Sequence, residues 1–222
     1  MSSTEQVSPE RTGCRIVVAG TGGQGVITSA RLLTDFFVSR GHQVMSSQLH
    51  GMAQRGGAVQ SLVTIDSGIS PVLGRCGADF VLGLEPIETV RALPYITTKT
   101  VVFMNPIPVF PFILAQNFVF EDGPTEYPSV PQLFETIRAV TAFLVTVDAT
   151  ALAKEAGAIQ TLNVVMLGCL FGSGLLPYAA QDFLDTTMKT VPPQLAELNQ
   201  RAFRSGVVFG EALDQIEIKS CL

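Results

Sequence analysis

Tryptophan is absent from this 222-residue chain, histidine occurs twice, and charged side chains make up only 15% of it. Soluble domains average about 25% charged residues, so this surface is poor in charge. Two histidines leave few routes to a histidine-built metal centre or a nucleophile–base pair. The cysteines Cys14, Cys76, Cys169 and Cys221 lie far apart, with no C-x-x-C spacing. That pattern excludes a zinc or iron–sulfur site held by this chain alone, and scattered thiols suit a reducing cytoplasm. Basic residues are also scarce: 14 Lys and Arg against 19 Asp and Glu give a net charge of −5. Nucleic acid is thereby excluded as the main ligand, because phosphate binding needs clustered cations. Long apolar runs are missing too. The most hydrophobic stretch, residues 164–177, is broken by glycine and falls short of the ~20 residues of a membrane span. The polar start Met1-Ser2-Ser3-Thr4-Glu5-Gln6 is unlike a secretion signal. A soluble, cytoplasmic protein without membrane contact is expected.

What is present is apolar residue, 47% of the chain, and one conspicuous glycine cluster. Gly20-Thr21-Gly22-Gly23-Gln24-Gly25 follows the apolar run Ile16-Val17-Val18-Ala19 and precedes an amphipathic stretch. Strand, tight turn and helix N-terminus are the elements such a pattern predicts. Glycine lets a backbone or ligand approach closely, and the helix start offers unpaired N–H groups and positive dipole charge to an anion. The G-x-G-x-x-G spacing fits a dinucleotide loop, but that fingerprint also needs a carboxylate about 20 residues on. Met45-Ser46-Ser47-Gln48 stands there instead. A Walker-type phosphate loop is excluded because no lysine follows the glycines. A purely structural turn stays open.

Along the chain, residues 1–12 are expected to be a disordered lead-in, 13–215 a single domain with a helical C-terminal third from about residue 150, and 216–222 a tail. Val26–Ser39 carries apolar residues at helical spacing and stops at Gly41, and His42–Ser47 then completes a β-α-β unit with parallel strands. Gln48–Gly57 (Gln-Leu-His-Gly-Met-Ala-Gln-Arg-Gly-Gly) has no periodicity. It is expected as a loop at the carboxyl edge of the sheet, where ligands bind in open α/β folds. Strands are predicted at 58–66, 79–84, 100–104 and 143–147, with Pro86 opening a helix at its first position. The proline-dense segment 105–131 is expected to be an excursion with a short strand at 117–120. Helices are expected at 132–141 and 151–157, then through 162–213 with breaks at 172–174, Pro177 and Pro192-Pro193. The expected fold is a three-layer α/β/α domain with a mostly parallel, Rossmann-like sheet.

Few residues carry chemistry. His50 can titrate near neutral pH but reads equally as a structural histidine. Arg55, beside Gly56-Gly57, offers a fork for carboxylate or phosphate, with a local ion pair as its alternative. Glu85 and Glu88 could be paired acid–base carboxylates, although a helix N-terminus favours negative charge without any catalysis. Asp148 reads as a helix cap.

Three segments together carry a resemblance: Gly20–Gly25, Gln48–Gly57, and Ala78-Asp79 through Gly83-Leu84-Glu85-Pro86 and Glu88. They resemble the γ-type domain of 2-oxoacid:ferredoxin oxidoreductases, with the small subunit of the indolepyruvate type as the nearest likeness. Asn163-Val-Val-Met-Leu-Gly168 and Asn199–Gly206 extend it over residues 14–210. The resemblance implies a non-catalytic subunit of an enzyme that oxidatively decarboxylates an aryl 2-oxoacid with coenzyme A and passes electrons to ferredoxin. It implies that thiamine diphosphate, Mg2+ and [4Fe-4S] clusters belong to a large α-type partner chain, with no cofactor or metal bound by this chain alone. Gly20, Gly22, Gly23, Gln24, Gly25, Gln54 and Arg55 become the expected contacts to coenzyme A or to the partner, and no catalytic residue is expected. Self-association of the isolated, inactive chain is a further expectation. The alternatives are a pyruvate- or 2-oxoglutarate-type γ subunit and a free-standing Rossmann-like nucleotide-binding enzyme.

Overall fold

A computed structural model describes residues 13–50, 56–67, 70, 74–109, 119–120, 123–124 and 127–213. The expected lead-in 1–12 and tail 216–222 lie outside the described residues. Strand β1 (Cys14–Thr21) forms because Ile16, Val17, Val18 and Ala19 can all be buried completely, on both faces of a central strand. Helix α1 (Val26–Ser39) lays Val26, Ala30, Leu33, Phe36 and Phe37 on the sheet, and Gly41, at φ 85°, ends it as expected. Then come β2 (Val44–His50), β3 (Ala58–Ile65), β4 (Phe80–Gly83), α2 (Pro86–Arg91), β5 (Val101–Met104), the short pair β6 (Val119–Phe120) and β7 (Gly123–Pro124), and α3 (Val130–Arg138). Strand β8 (Leu144–Thr146) and helices α4 (Ala149–Ala156), α5 (Leu162–Gly172), α6 (Ala180–Thr187) and α7 (Pro193–Glu211) complete the order.

The main sheet is six-stranded and mixed, in the order β2-β3-β1-β4-β5-β8. β1, β4, β5 and β8 pair in parallel, whereas β3 pairs antiparallel with both β1 and β2. This corrects the expected β-α-β unit. β2 does run in the direction of β1, but β3 is inserted between them, because the short connection after β2 closes an antiparallel pair. The polar run Ser46-Ser47-Gln48 held a cue to this: Ser46, Gln48 and Leu49 are exposed, as suits an edge strand and not a buried parallel one. Gln48, Leu49 and His50 also correct the expected loop, since they pair with Ser61, Gln60 and Val59 as the last residues of β2.

Two cores sandwich the sheet, giving three layers. Ile16, Val18, Phe80 and Leu82 face α1 and the C-terminal helices, and Val17, Ala19, Val81 and Val102 face the side that holds Ala92, Ile96 and Ile137. Helix α5 is buried along its whole length, which is how a mostly apolar helix fits inside a core. Among the described residues no helix is long and apolar enough to cross a membrane. α5 packs backbone-to-backbone against α7. A Cβ at Gly168 would lie 2.2 Å from the Phe203 carbonyl oxygen, and one at Gly206 2.0 Å from that of Val165. Only glycine permits so close an approach.

Candidate functional site

Because β1, β2, β4, β5 and β8 share one direction, the segments after them gather along one edge of the sheet. The glycine loop is built there by interlocking bonds. Gly22 N–H donates to the Gly57 carbonyl at 2.8 Å, and Gly56 N–H returns a bond to Gly22 at 3.4 Å. The two glycine-bearing segments singled out in the sequence are therefore in contact. Gln24 turns its amide inward: Oε1 accepts from Thr21 N–H at 2.8 Å, and Nε2 donates to the Leu84 carbonyl at 3.1 Å. Its side chain shapes the loop and fastens it to the end of β4. Gly20 has no room for a Cβ, which would meet Gln24 Oε1 and Val26 Cγ2 at 2.9 Å.

Two asparagines that sequence reasoning assigned no role complete the frame. Asn163 Nδ2 reaches from the start of α5 to the Gly25 carbonyl at 3.3 Å and to Ser29 Oγ at 3.2 Å. Gly25 sits at φ 82°, and a Cβ there would lie 2.7 Å from the Asn163 amide, so the position excludes other residues twice over. Asn105, fully buried after β5, donates from Nδ2 to the Leu84 carbonyl at 3.2 Å and accepts from Thr150 Oγ1 at 3.3 Å. Polar residues directly after a buried strand or opening a buried helix were the available signal for both.

The start of α1 is open. Its N-cap is Gly25, among the described residues no side chain caps it, and its first turn holds no acid. Gly23 is exposed, with nothing within 4 Å of its Cβ direction. A cavity of about 310 Å3 lies over Gly22, Gly23, the first turn of α1 and Val59. Helix-start N–H groups and a positive dipole end therefore face free space, the arrangement that receives anions. Exposed apolar side chains mark the same edge: Ile27 at 48% exposure, Leu49 at 49%, Ile107 and Val109 both at 39%.

The start of α2 is closed. Glu85, 1% exposed, caps it by accepting the Glu88 N–H at 3.0 Å. The same carboxylate accepts a short bond from the Tyr127 hydroxyl and a longer one, 3.4 Å, from Val109 N–H. Burial, then the bond to Glu85, pushes the Tyr127 hydroxyl well above its ordinary range. Glu88 pairs with Arg91 at 3.4 Å, while burial pushes its carboxyl up to about 7, and among the described residues its Oε2 has no partner. The capping alternative for these two glutamates holds for Glu85. Asp148 is a cap as expected, accepting the Ala151 N–H at 2.8 Å.

Gln54 and Arg55 lie outside the described residues, in the connection between β2 and β3; for His50 only the backbone, paired with Val59, is described. Among the described residues no three His, Cys, Asp or Glu side chains converge as a metal site.

Comparison with known proteins fits this geometry. The family described as pyruvate ferredoxin/flavodoxin oxidoreductase matches residues 15–209. The chain is 31% identical over 191 residues to the indolepyruvate oxidoreductase subunit IorB of Archaeoglobus fulgidus, covering 86% of this chain and 92% of that one. To the IorB of Methanothermobacter thermautotrophicus it is 32% identical over 199 residues, covering 90% and 97%. Among solved structures, the γ subunit of a keto/oxoacid ferredoxin oxidoreductase from Geobacter sulfurreducens shares the fold at a TM-score of 0.63 and 22% identity, over 90% of this chain and 99% of that one. The 2-oxoglutarate:ferredoxin oxidoreductase of Magnetococcus marinus, with 2-oxoglutarate, coenzyme A and succinyl-CoA bound, shares it at 0.63 and 18% identity, over 93% of this chain and 32% of that one. A match of this extent identifies the chain as a member of the pyruvate ferredoxin/flavodoxin oxidoreductase family.

Proposed function

We propose that this chain is the small, non-catalytic subunit of a 2-oxoacid:ferredoxin oxidoreductase of the indolepyruvate type, working in the cytoplasm. The observation that carries this reading is the near end-to-end match to IorB chains, which covers 92% and 97% of their lengths. The likeness to a 2-oxoglutarate synthase subunit KorC covers only 38% of this chain, which favours the aryl 2-oxoacid over 2-oxoglutarate. In the assembled enzyme the thiamine diphosphate, Mg2+ and iron–sulfur clusters belong to a larger partner chain, which carries out the decarboxylation and delivers electrons to ferredoxin.

This chain contributes the carboxyl edge of its sheet. The open start of α1, shaped by Gly20, Gly22, Gly23 and Gly25, receives a phosphate of coenzyme A or an acidic group of the partner. Gln24 holds the loop in register, and Gln54 and Arg55 add polar contacts from the neighbouring connection. Ile27, Leu49, Ile107 and Val109 meet the partner's surface, consistent with the apolar character of obligate interfaces. A fit to coenzyme A rests on the uncapped helix start and the cavity above it.

Anaerobic affinity purification of the full chain from its native cells tests the assignment. A large chain carrying thiamine diphosphate and iron–sulfur clusters should co-purify in stoichiometric amount, with indolepyruvate-dependent ferredoxin reduction in the eluate. Repeated recovery of this chain alone would overturn the reading.

A further inference from the structure

The two lateral edges of the main sheet are built differently. One ends in β8, only three residues long, and so short an edge strand is a poor template for another chain. The other ends in β2, seven residues long, which pairs with β3 one to one from Val44↔Ile65 to His50↔Val59, without a bulge. Soluble proteins guard long edges with lysine and other charges, proline or bulges. Residues 44–50 contain no Lys, Arg, Asp, Glu or Pro, so β2 has none of these guards. Among the described residues no strand pairs with its outer side, and Ser46, Gln48 and Leu49 are exposed.

The ladder fixes which backbone groups point outward. The Gln43 carbonyl accepts the Asp66 N–H at 2.9 Å, at the end of β3. Bonding direction alternates along an antiparallel strand. Met45, Ser47 and Leu49 therefore bond to β3, and Val44, Ser46 and Gln48 turn their N–H and carbonyl groups away from it.

The strand also has a pattern that fits a copy of itself. Counting out from Ser47 in either direction, a polar residue comes first (Ser46, Gln48) and an apolar one second (Met45, Leu49). A second β2 laid antiparallel about a two-fold axis at Ser47 sets Met45 opposite Leu49 and Ser46 opposite Gln48. Opposed residues share a face of the sheet and interact as cross-strand pairs, so apolar meets apolar and hydroxyl meets amide. Ser46 and Gln48 then exchange backbone bonds in both directions. Self-pairing brings every charge close to its own copy, and like charges opposed across strands are destabilising. A strand without Lys, Arg, Asp or Glu avoids that cost.

We propose that β2 is a docking edge for a second copy of this chain, joining two six-stranded sheets into one across a two-fold axis at Ser47. The contact is isologous, the commonest symmetry of soluble oligomers. It does not rest on the assignment to the indolepyruvate type. It uses the side of the sheet and leaves the glycine loop, Ile27, Ile107 and Val109 to the larger chain, with Leu49 at the corner between the two surfaces.

Sedimentation equilibrium of the purified full chain should show a dimer that dissociates on dilution. Gln48→Pro removes an N–H that points away from β3, a place where edge strands tolerate proline. By symmetry two donors are lost per dimer, and the dissociation constant should rise about thirtyfold. Ser46→Lys places two like charges near the axis and should raise it about tenfold. Thr146→Lys, an exposed position on β8, should leave it unchanged. Thermal unfolding of each variant establishes that it is folded, and Ser46→Lys alone decides should Gln48→Pro fail to fold. A parent chain that stays monomeric at every concentration overturns the proposal. So does a folded β2 variant that dimerises as the parent does, or a dimer weakened as much by Thr146→Lys as by Ser46→Lys.

Discussion

Helices α1 and α2 begin at the same edge of the sheet, behind the neighbouring parallel strands β1 and β4, yet their N-termini are finished in opposite ways. At α2 the dipole and the unpaired N–H groups are satisfied from within the chain, by the buried Glu85 carboxylate with Glu88 in the first turn. At α1 the cap is a glycine, the first turn has no acid, and a cavity lies beside it. A fold that closes one helix start with a buried carboxylate has the means to close the other. The open end of α1 is therefore a specific property of its sequence, and the contrast locates where an anion from outside can be received.

The largest effect should come from breaking the closed end. Glu85→Ala leaves the Glu88 N–H, the Val109 N–H and the Tyr127 hydroxyl without their acceptor. Loss of a cap and of buried bonds is expected to cost about 3 kcal/mol, read as a drop in Tm on the order of 10 °C. An unchanged Tm would mean that the carboxylate does not hold this end together.

Glu88 gives the closed end a pH signature. Its carboxyl is raised from 4.5 to about 7 by burial, so the folded chain binds the proton more tightly than the unfolded one. The penalty for burying the anion is absent below about 4.5, grows as pH rises through the window and is complete above about 7. Tm should fall over that range, and Glu88→Gln should remove this part of the slope. A variant whose Tm keeps the same pH dependence as the parent would place the titration elsewhere.

Asn163→Ala tests the open end without touching its glycines. It removes the donor shared by the Gly25 carbonyl and Ser29 Oγ, at an expected cost of about 1–2 kcal/mol. Hydrogen exchange should quicken at the amide of Ser29 and stay unchanged in α2; equal quickening in both would show a global effect.

The smallest change in stability should come from making α1 resemble α2. Ile27→Asp places an acid in the first turn of α1 at a position 48% exposed, and should add about 0.5 kcal/mol through the dipole. Binding of coenzyme A or of the partner should weaken at the same time, measured by titration of the purified complex. A variant that binds as the parent does would separate the open helix start from recognition.

Much of the local structure was legible in the sequence because it is set by near neighbours. The strand–glycine–helix unit, Gly41 after α1, Pro86 opening α2 and Asp148 capping α4 are each decided by residues within a turn of one another. The insertion of β3 was less legible. Val44–His50 reads as a strand in either topology, and only its polar pattern betrayed an edge position. The glycine spacing suggested a dinucleotide loop, yet Ser46, Ser47 and Gln48, which stand where a ribose-binding acid would be sought, are spent in an edge strand paired with β3.

By itself the sequence determined most of the elements, the stop at Gly41, the start at Pro86, the cap at Asp148 and an acid-free glycine start to α1, because hydrogen bonds and steric limits within about four residues set these. Tertiary structure alone decided that Gly22 bonds to Gly57, that Asn163 reaches Gly25 across 138 positions, that Asp66, His42 and Tyr178 join, and that Gly168 and Gly206 bring two helices into backbone contact. Such contacts depend on where a closed chain brings distant segments together, and no local pattern in the residues encodes that distance.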